Sequence, residues 1–330
     1  MCKRVNIVIP ALNEQTHIRE CLQSILSLQR DNIRVAITVV DNGSTDRTVA
    51  IAESLGADVF VRKNVNISAL RNFGARNSEA DFLAFVDADC VVAKDWLNNA
   101  LQCMEREFAD AVGSFHDIPA NAGWIGRAAQ LIQSQKLGST AGYIPSGNMI
   151  VKRSSYDAVG GFDESLQTTE DVELCHRLRR AGFKIFLDPT IKSTHLGSPT
   201  SIREVFVREV WHGSSAWTVF FQDLSRVRNW RVTLYSTLNL LLLLGLSISV
   251  LLLPLGVAKG VWVALLVCYA ALNLSVAVRD WLSTRKGFLL LLFYAIIYGV
   301  ARSYSILKWF WAYFAGRRGH DETSFERMRR

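Results

Sequence analysis

Over its first two hundred residues the chain alternates short apolar runs with amphipathic ones, and after that the runs become long. Val5 to Ile9 is a short apolar stretch closed by Pro10, and Ile33 to Val40, Ala57 to Val61 and Phe82 to Val86 repeat the pattern. Runs of this length bounded by turn residues predict strands. Between the first two, Glu14 to Leu28 places Ile18, Leu22, Ile25 and Leu26 at helical spacing. Ser44 or Thr45 is an N-cap candidate for a helix after the second strand, and Ser68 for one opening at Asn66. Strand and helix in alternation predict an α/β domain with a parallel sheet and helices on both faces. The loops at the strand ends then meet along one edge, where Asp41, Arg71, Asp87 and Asp89 can converge.

That edge is where open α/β sheets bind ligands. Asp87 and Asp89 follow the fourth strand with only Ala88 between them. Alternate side chains of an extended segment share a face, and two carboxylates so placed repel unless a cation joins them. Hard oxygen ligands suit Mg²⁺ or Mn²⁺ carrying a diphosphate, although a lone Asp-x-Asp is more often a capped turn. Farther on, Ala109 to Ser114 and Met149 to Val151 read as strands and Trp124 to Gln135 as a helix. Lys136 to Tyr143 is either a loop that closes over a ligand or simply a loop, and Gly160-Gly161 is a tight turn. Thr168 to Gly182 has the marks of a complete helix, with Thr168 or Thr169 as cap, acids first, bases last and a terminal glycine. Ile185 to Leu187 and Ile191 to Thr194 are short edge strands leading to His195.

From residue 201 the solvent changes. Ser201 to Phe221 predicts an amphipathic interfacial helix carrying Val205, Phe206, Val210, Trp211, Trp217, Phe220 and Phe221 beside Arg203 and Arg208. No charge occurs between Arg231 and Lys259, or between Lys259 and Arg279, and each run is long enough to span a bilayer. Pro254 and Gly256 mark the turn of a helical hairpin. Arg226, Arg228 and Arg231 precede it and Arg279, Arg285 and Lys286 follow, so the positive-inside rule puts both ends in the cytosol. Phe288 to Ala301 is apolar but shorter, and Arg302 and Lys308 interrupt its continuation. It either crosses with snorkelling cations, re-enters, or lies in the interface. The basic tail, Arg317 to Arg330, argues for a cytosolic end. The resulting domain plan is 1–200 catalytic, 201–231 interfacial helix and basic linker, 232–316 membrane region and 317–330 tail.

Composition fits this plan. Half of the 330 residues are hydrophobic and the formal charge is +7. The basic residues flank apolar runs and no nucleic-acid-binding motif accompanies them, so nucleic acid is excluded as a partner. The six cysteines are scattered without a C-x-x-C pair, as in a reducing compartment.

Seven motifs in order then resemble family 2 glycosyltransferases. They are Val-Ile-Pro-Ala-Leu-Asn-Glu14, Val-Val-Asp-Asn-Gly-Ser-Thr-Asp46, Ser-Ala-Leu-Arg-Asn-Phe-Gly74, Phe-Val-Asp-Ala-Asp89, Gly147-Asn-Met-Ile-Val-Lys-Arg153, Val159-Gly-Gly-Phe-Asp163 and Thr169-Glu-Asp-Val-Glu-Leu174. The resemblance covers residues 4–195 and implies the GT-A fold, a nucleotide-diphosphate sugar donor, a divalent metal (Mg²⁺ or Mn²⁺) and inversion at the anomeric carbon. It implies that Pro10, Ala11, Asn13, Asp41, Arg71, Asp87, Gly147, Asn148 and Glu170 form the nucleotide-sugar site. Asp41 would accept a hydrogen bond from the base, and Arg71 would meet the base or diphosphate unless it is only a surface helix cation. Glu14 would line the same pocket or be a first-turn helix acid. Asp87 and Asp89 would hold the metal, with His195 as a third ligand or an ordinary surface or core histidine. Asp171 would be the general base, ionised at the helix start, or would merely complement the helix dipole.

The reading is a multi-pass membrane glycosyltransferase with a cytosolic catalytic domain, moving a sugar from a UDP-type donor to a lipid-linked or glycan acceptor. Arg208-Glu-Val-Trp-His212 stands where the resemblance would give processive polymerases Gln-x-x-Arg-Trp, so one-step transfer is expected. A homo-oligomer is compatible with this reading, and the rival is an idle glycosyltransferase-like subunit that binds nucleotide sugar or scaffolds a membrane complex. A sugar nucleotidyltransferase would need a Gly-rich loop after Ile9, which is absent.

Overall fold

The computed structural model describes residues 2–30, 32–120, 122–128, 143–166, 168–197, 199, 201–214, 227–252 and 259–314. The chain divides into two compact units, one of residues 1–121 and 136–198, the other of 122–135 and 199–330. The turn at Pro254, the aromatics Trp217, Phe220 and Phe221, the tail from Arg317, and most of the 124–135 and 136–143 segments lie outside the described residues.

The first unit runs β1 (Lys3–Ala11), α1 (Ile18–Leu26), β2 (Ile33–Asp41), α2 (Thr48–Ser54), β3 (Asp58–Val61), α3 (Ile67–Arg76), β4 (Phe82–Val86), β5 (Cys90–Val92) and α4 (Trp96–Glu107). It continues with β6 (Ala111–Gly113), β7 (Asn148–Lys152), α5 (Arg153–Ala158), α6 (Glu170–Arg180), β8 (Ile185–Leu187) and β9 (Ser193–His195). Seven strands form one sheet in the order β3-β2-β1-β4-β7-β6-β8. The first four pair in parallel, so their carboxyl ends share one edge as expected. β1 is buried continuously from Val5 to Ala11, the mark of a strand covered on both faces. Its one polar core residue, Asn6, accepts from Thr38 Oγ1 at 2.9 Å and donates to Gly74 O at 3.1 Å. Gly74 lets α3 lie directly on the sheet, since a Cβ there would come within 2.4 Å of Val8 Cγ1.

Two departures from parallel order build the site. β7 runs antiparallel to β4, with Val86 opposite Asn148, which brings Gly147 beside Asp87. β5 and β9 form a separate two-stranded sheet with Cys90 opposite His195. His195 is therefore inside a strand rather than after one, next to the acids.

Several helix starts differ from the sequence reading. Asn66, not Ser68, caps α3, its side chain accepting from Ala69 N at 3.0 Å. Asp46 accepts from Thr48 N at 2.9 Å and opens α2 beyond Ser44 and Thr45. Neither threonine caps α6 by its side chain. Thr169 instead takes a left-handed conformation (φ +68°), and α6 begins at Glu170.

The second unit contains α7 (Ile202–Ser214), α8 (Val227–Leu252), α9 (Lys259–Thr284) and α10 (Phe288–Phe314). Thr233–Leu252, Lys259–Thr284 and Phe288–Trp311 are long and apolar enough to cross a membrane. A buried polar seam joins them. Tyr235 OH lies 2.8 Å from Asn273 Oδ1 and 3.0 Å from Ala295 O, its one hydrogen serving either acceptor, and Asn273 Nδ2 donates to Asn239 Oδ1 at 3.3 Å. Arg302 does not break α10. It pairs with the buried Glu209 of α7 at 3.1 Å and lies over the Tyr298 ring, while Tyr294 OH donates to the other Glu209 oxygen at 3.0 Å. That pairing supplies the partner a buried charge needs.

Candidate active site

The core of the site is one buried guanidinium between two carboxylates. Arg71 sits on α3, and a charged side chain on a short surface helix would ordinarily point to water. Here it is 1% exposed. Nη2 donates to Asp87 Oδ1 at 2.7 Å and Nη1 to Glu170 Oε1 at 2.8 Å. The guanidinium also faces the Phe162 ring at 5.5 Å. The Gly160-Gly161 turn positions that ring, and Asn72 clasps the turn through Phe162 N and O. Ser146 Oγ adds a 3.1 Å hydrogen bond to Glu170. Burial would raise the Asp87 carboxyl, but Arg71 outweighs it and holds Asp87 below the usual carboxylate range.

Asp171, next to Glu170, accepts from its neighbour Val172 N at 2.7 Å. The sequence predicts an ionised first-turn acid; the structure gives the opposite balance. Burial, with the Glu170 charge second, pushes its pKa up to about 7, against the helix start and the more distant Arg71. Glu173, two residues on, is engaged separately with Arg177.

Asp87 and Asp89 each stand beside an imidazole. Asp89 Oδ2 lies 3.5 Å from His195 Nε2. Asp87 groups with Cys90 and His116, and Asp89 with Cys90 and His195, the donor atoms of each set lying within 4.8 Å of one another. Carboxylate and imidazole donors of this kind fit a divalent metal such as Mn²⁺. The Cys90 thiol is a poorer donor, because burial between two acids drives its pKa well up. Glycines leave the room. A Cβ on Gly147 would come within 2.3 Å of Asp87 Oδ2, and one on Gly197 within 2.2 Å of Asp89 Oδ2. His116, Cys90, Ser146 and Gly197 were not anticipated. The only sequence signal for His116 was its place just past the Ala109–Ser114 strand.

The remaining candidates line the same edge. Asp41 ends β2, two strand spacings of about 4.8 Å each from β4. Its Oδ2 accepts from Gly43 N and Ser44 N at 2.7 and 2.8 Å and its Oδ1 from Ser44 Oγ, so it shapes its own loop. Asn13, at φ +54°, ties the loop after β1 to that loop by accepting from Thr45 N at 2.9 Å. Pro10 and Ala11 are buried at the end of β1. Glu14 precedes α1, whose first-turn acid is Glu20, and its backbone carbonyl takes the N–H groups of His17 and Ile18. Asn148 departs from expectation. Its oxygen accepts from Trp96 Nε1 at 2.7 Å and its amide donates to Ser114 O and Ile191 O, so the side chain is spent inside the core.

The sheet order, the Asp-x-Asp turn at its carboxyl edge and the antiparallel β7 define a GT-A nucleotide-diphospho-sugar transferase fold. Residues 6–160 match the model of Glycosyl transferase family 2, and the chain carries a domain of that family. A "Pre-mycofactocin glycosyltransferase" of Mycobacterium tuberculosis is 28% identical over 64% of this chain and 46% of its own length. The chain thus spans about half of that relative. A dolichyl N-acetyl-α-D-glucosaminyl phosphate diacetamido-dideoxy-glucuronosyltransferase of Methanococcus voltae is 23% identical over 64% of this chain and 72% of its own. Among solved structures, a mannosyltransferase of Pyrobaculum calidifontis in complex with GDP-Man and Mn²⁺ superposes with a TM-score of 0.63. It covers 92% of this chain and 87% of its own, at 17% identity.

Proposed function

We propose that this protein is a membrane-anchored inverting glycosyltransferase. It transfers one sugar from a nucleotide-diphosphate donor, UDP-linked in the first instance, to a lipid-linked acceptor at the cytosolic membrane face. The observation that carries the reading is the Asp87–Arg71–Glu170 bridge, which sets the paired acids and Asp171 around one edge of the sheet. The apolar helices and the phosphorylated lipid in the name of the Methanococcus relative support the acceptor class.

In this reading the loops at Asn13 and Asp41 receive the base. Asp87, Asp89 and His195 hold a divalent cation, which supplies positive charge against the donor diphosphate when bound. Gly147 lets the donor approach the backbone beside Asp87. Asp171 takes the proton of the attacking acceptor hydroxyl, and Glu170, fixed by Arg71 and Ser146, positions the turn that carries it. The hairpin charges keep the catalytic unit and Lys286 on one side of the membrane.

Purified protein is assayed for UDP release and sugar transfer with a panel of nucleotide sugars, GDP-mannose included. EDTA, or Asp89→Ala in a folded protein, is expected to abolish both. Full activity in EDTA would remove the metal and His195 assignments, and absence of transfer with every donor would leave only a binding role.

A further inference from the structure

The reading above uses three metal ligands and leaves His116 aside. Its surroundings are those of a ligand. The loop that carries it is stitched to β9 on both sides: Asp117 N donates to Ser193 O at 2.7 Å, and His195 N donates to Asp117 O at 3.0 Å. His116 and His195 therefore stand on paired backbone segments, with ring centroids 5.5 Å apart, edge to face.

The ring is oriented through its other nitrogen. His116 Nδ1 lies 2.8 Å from Ser193 Oγ, a hydroxyl on a buried residue. An Nδ1–H donated to that oxygen leaves the Nε2 lone pair facing the opposite way, the tautomer in which imidazoles bind metals. Nε2 faces the space above Gly147: a Cβ there would lie 3.1 Å from it and 2.3 Å from Asp87 Oδ2. The same arrangement recurs at Gly197, where a Cβ would meet His195 Cε1 at 3.2 Å and Asp89 Oδ2 at 2.2 Å. The donors thus fall in two sets that share Cys90, Asp87 with His116 and Asp89 with His195, so one cation held by both imidazoles has to draw the two sets together.

We propose that His116 is a second imidazole ligand of the divalent cation, beside His195, and that this ring contributes to the site's discrimination between Mn²⁺ and Mg²⁺. The inference rests on the reading that a cation joins Asp87 and Asp89. Imidazole suits transition metals, whereas Mg²⁺ keeps to oxygen donors and retains its waters. A site with only the two carboxylates would discriminate little; two imidazoles supply a reason to discriminate.

The test is direct metal binding in the presence of UDP, read by Mn²⁺ electron paramagnetic resonance. Pulsed measurements count the nitrogens coupled to the ion. The wild type is expected to show two imidazole couplings, and His116→Ala and His195→Ala one each. Mn²⁺ affinity of His116→Ala should fall about tenfold or more, while Mg²⁺ affinity, measured by competition, stays within about twofold. His116→Asn serves as a second variant, with circular dichroism checking the fold of each. A single nitrogen coupling in the wild type, or equal loss of both metals in folded variants, overturns the assignment of His116 and leaves the rest of the site standing. Failure of the wild type to bind Mn²⁺ with UDP overturns both this proposal and the metal reading beneath it.

Discussion

Asp171→Asn separates base catalysis from donor binding, and the position of Asp171 fixes what should be seen. The amide keeps the size of the carboxyl and still accepts from Val172 N, but it cannot take a proton. A positioned base contributes about 10²–10⁴ in rate, so transfer should fall by at least about two orders of magnitude while UDP binding with metal stays near wild type. The wild-type pH profile carries a second signature. With the free-enzyme carboxyl held at about 7, only about a tenth is ionised one pH unit below that value, so kcat/KM should drop about tenfold between pH 7 and 5.7 or so. The variant should lack this limb. Stability moves the other way. The unfolded carboxyl ionises near the ordinary aspartate value of 3.8, whereas the folded one keeps its proton to about 7. The wild type is therefore progressively destabilised as pH rises between those values, and the full penalty stands above 7. At about 1.36 kcal/mol per pH unit this span sets a ceiling of about 4 kcal/mol, reduced by the water that reaches a half-buried carboxyl. Asp171→Asn should melt above the wild type at pH 8 and level with it below about pH 4. Transfer assays with radiolabelled donor, calorimetric UDP titration and thermal melts at both pH values decide the matter. Normal turnover, or equal losses in binding and transfer, would refute the base assignment. So would a wild-type kcat/KM flat from pH 5.5 to 8 with a hydroxyl acceptor. An acceptor attacking through an ionised phosphate oxygen would leave only a mild defect and would identify itself by that result.

Gly147→Ala places a methyl 2.3 Å from Asp87 Oδ2 and 3.1 Å from His116 Nε2; overpacking of about 1–3 kcal/mol should weaken metal-dependent UDP binding about tenfold, and unchanged binding by calorimetry would show that the space is not used. For topology, single cysteines in a Cys-free protein should be labelled from outside intact cells at position 259 but not at 44 or 286, and outside labelling at 44 would overturn the cytosolic donor site.

The strands were legible because each is a short apolar run with a polar break, and the Asp-x-Asp pair was legible because it follows one of them directly. The convergence of the other ligands was not. β5 and β9 have three residues each, too short for any period, yet their pairing is what puts His195 opposite Cys90. His116 depends on that same pairing through Ser193, so it had no signal of its own. Arg71 was legible as a residue of the sheet edge, but its burial between Asp87 and Glu170 was not, because that pairing is tertiary. Asn148 sits in a donor-site motif, but the indole of Trp96, distant in sequence, claims its oxygen. Arg302, read alone, interrupts an apolar run; with Glu209 it forms one buried pair. The helix caps failed for local reasons: Asn66 caps α3 in place of Ser68, and the cap position of α2 falls on Arg47, without a side-chain cap, after Asp46 has taken Thr48 N.

The charge arrangement ties the two halves of the reaction together. Asp87 and Glu170 share one guanidinium and Asp171 lies next to Glu170, so without further positive charge the three acids carry more anion than Arg71 can balance. The excess settles on Asp171, whose pKa is raised first by burial, then by Glu170, and also by Asp87. Asp87 is the residue proposed to meet the cation and the donor diphosphate. Positive charge delivered there removes part of the repulsion on Asp171, while Arg71 keeps Glu170 in place and the burial contribution persists. The base thus gains its ionised form when the donor and cation are in place, and is held back from it when they are absent. Because kcat/KM reports the free enzyme and kcat the loaded one, the acidic limb in kcat should lie below that in kcat/KM. Identical limbs would mean that Asp171 does not sense the charge at Asp87, although Arg71 links Asp87 to its neighbour Glu170.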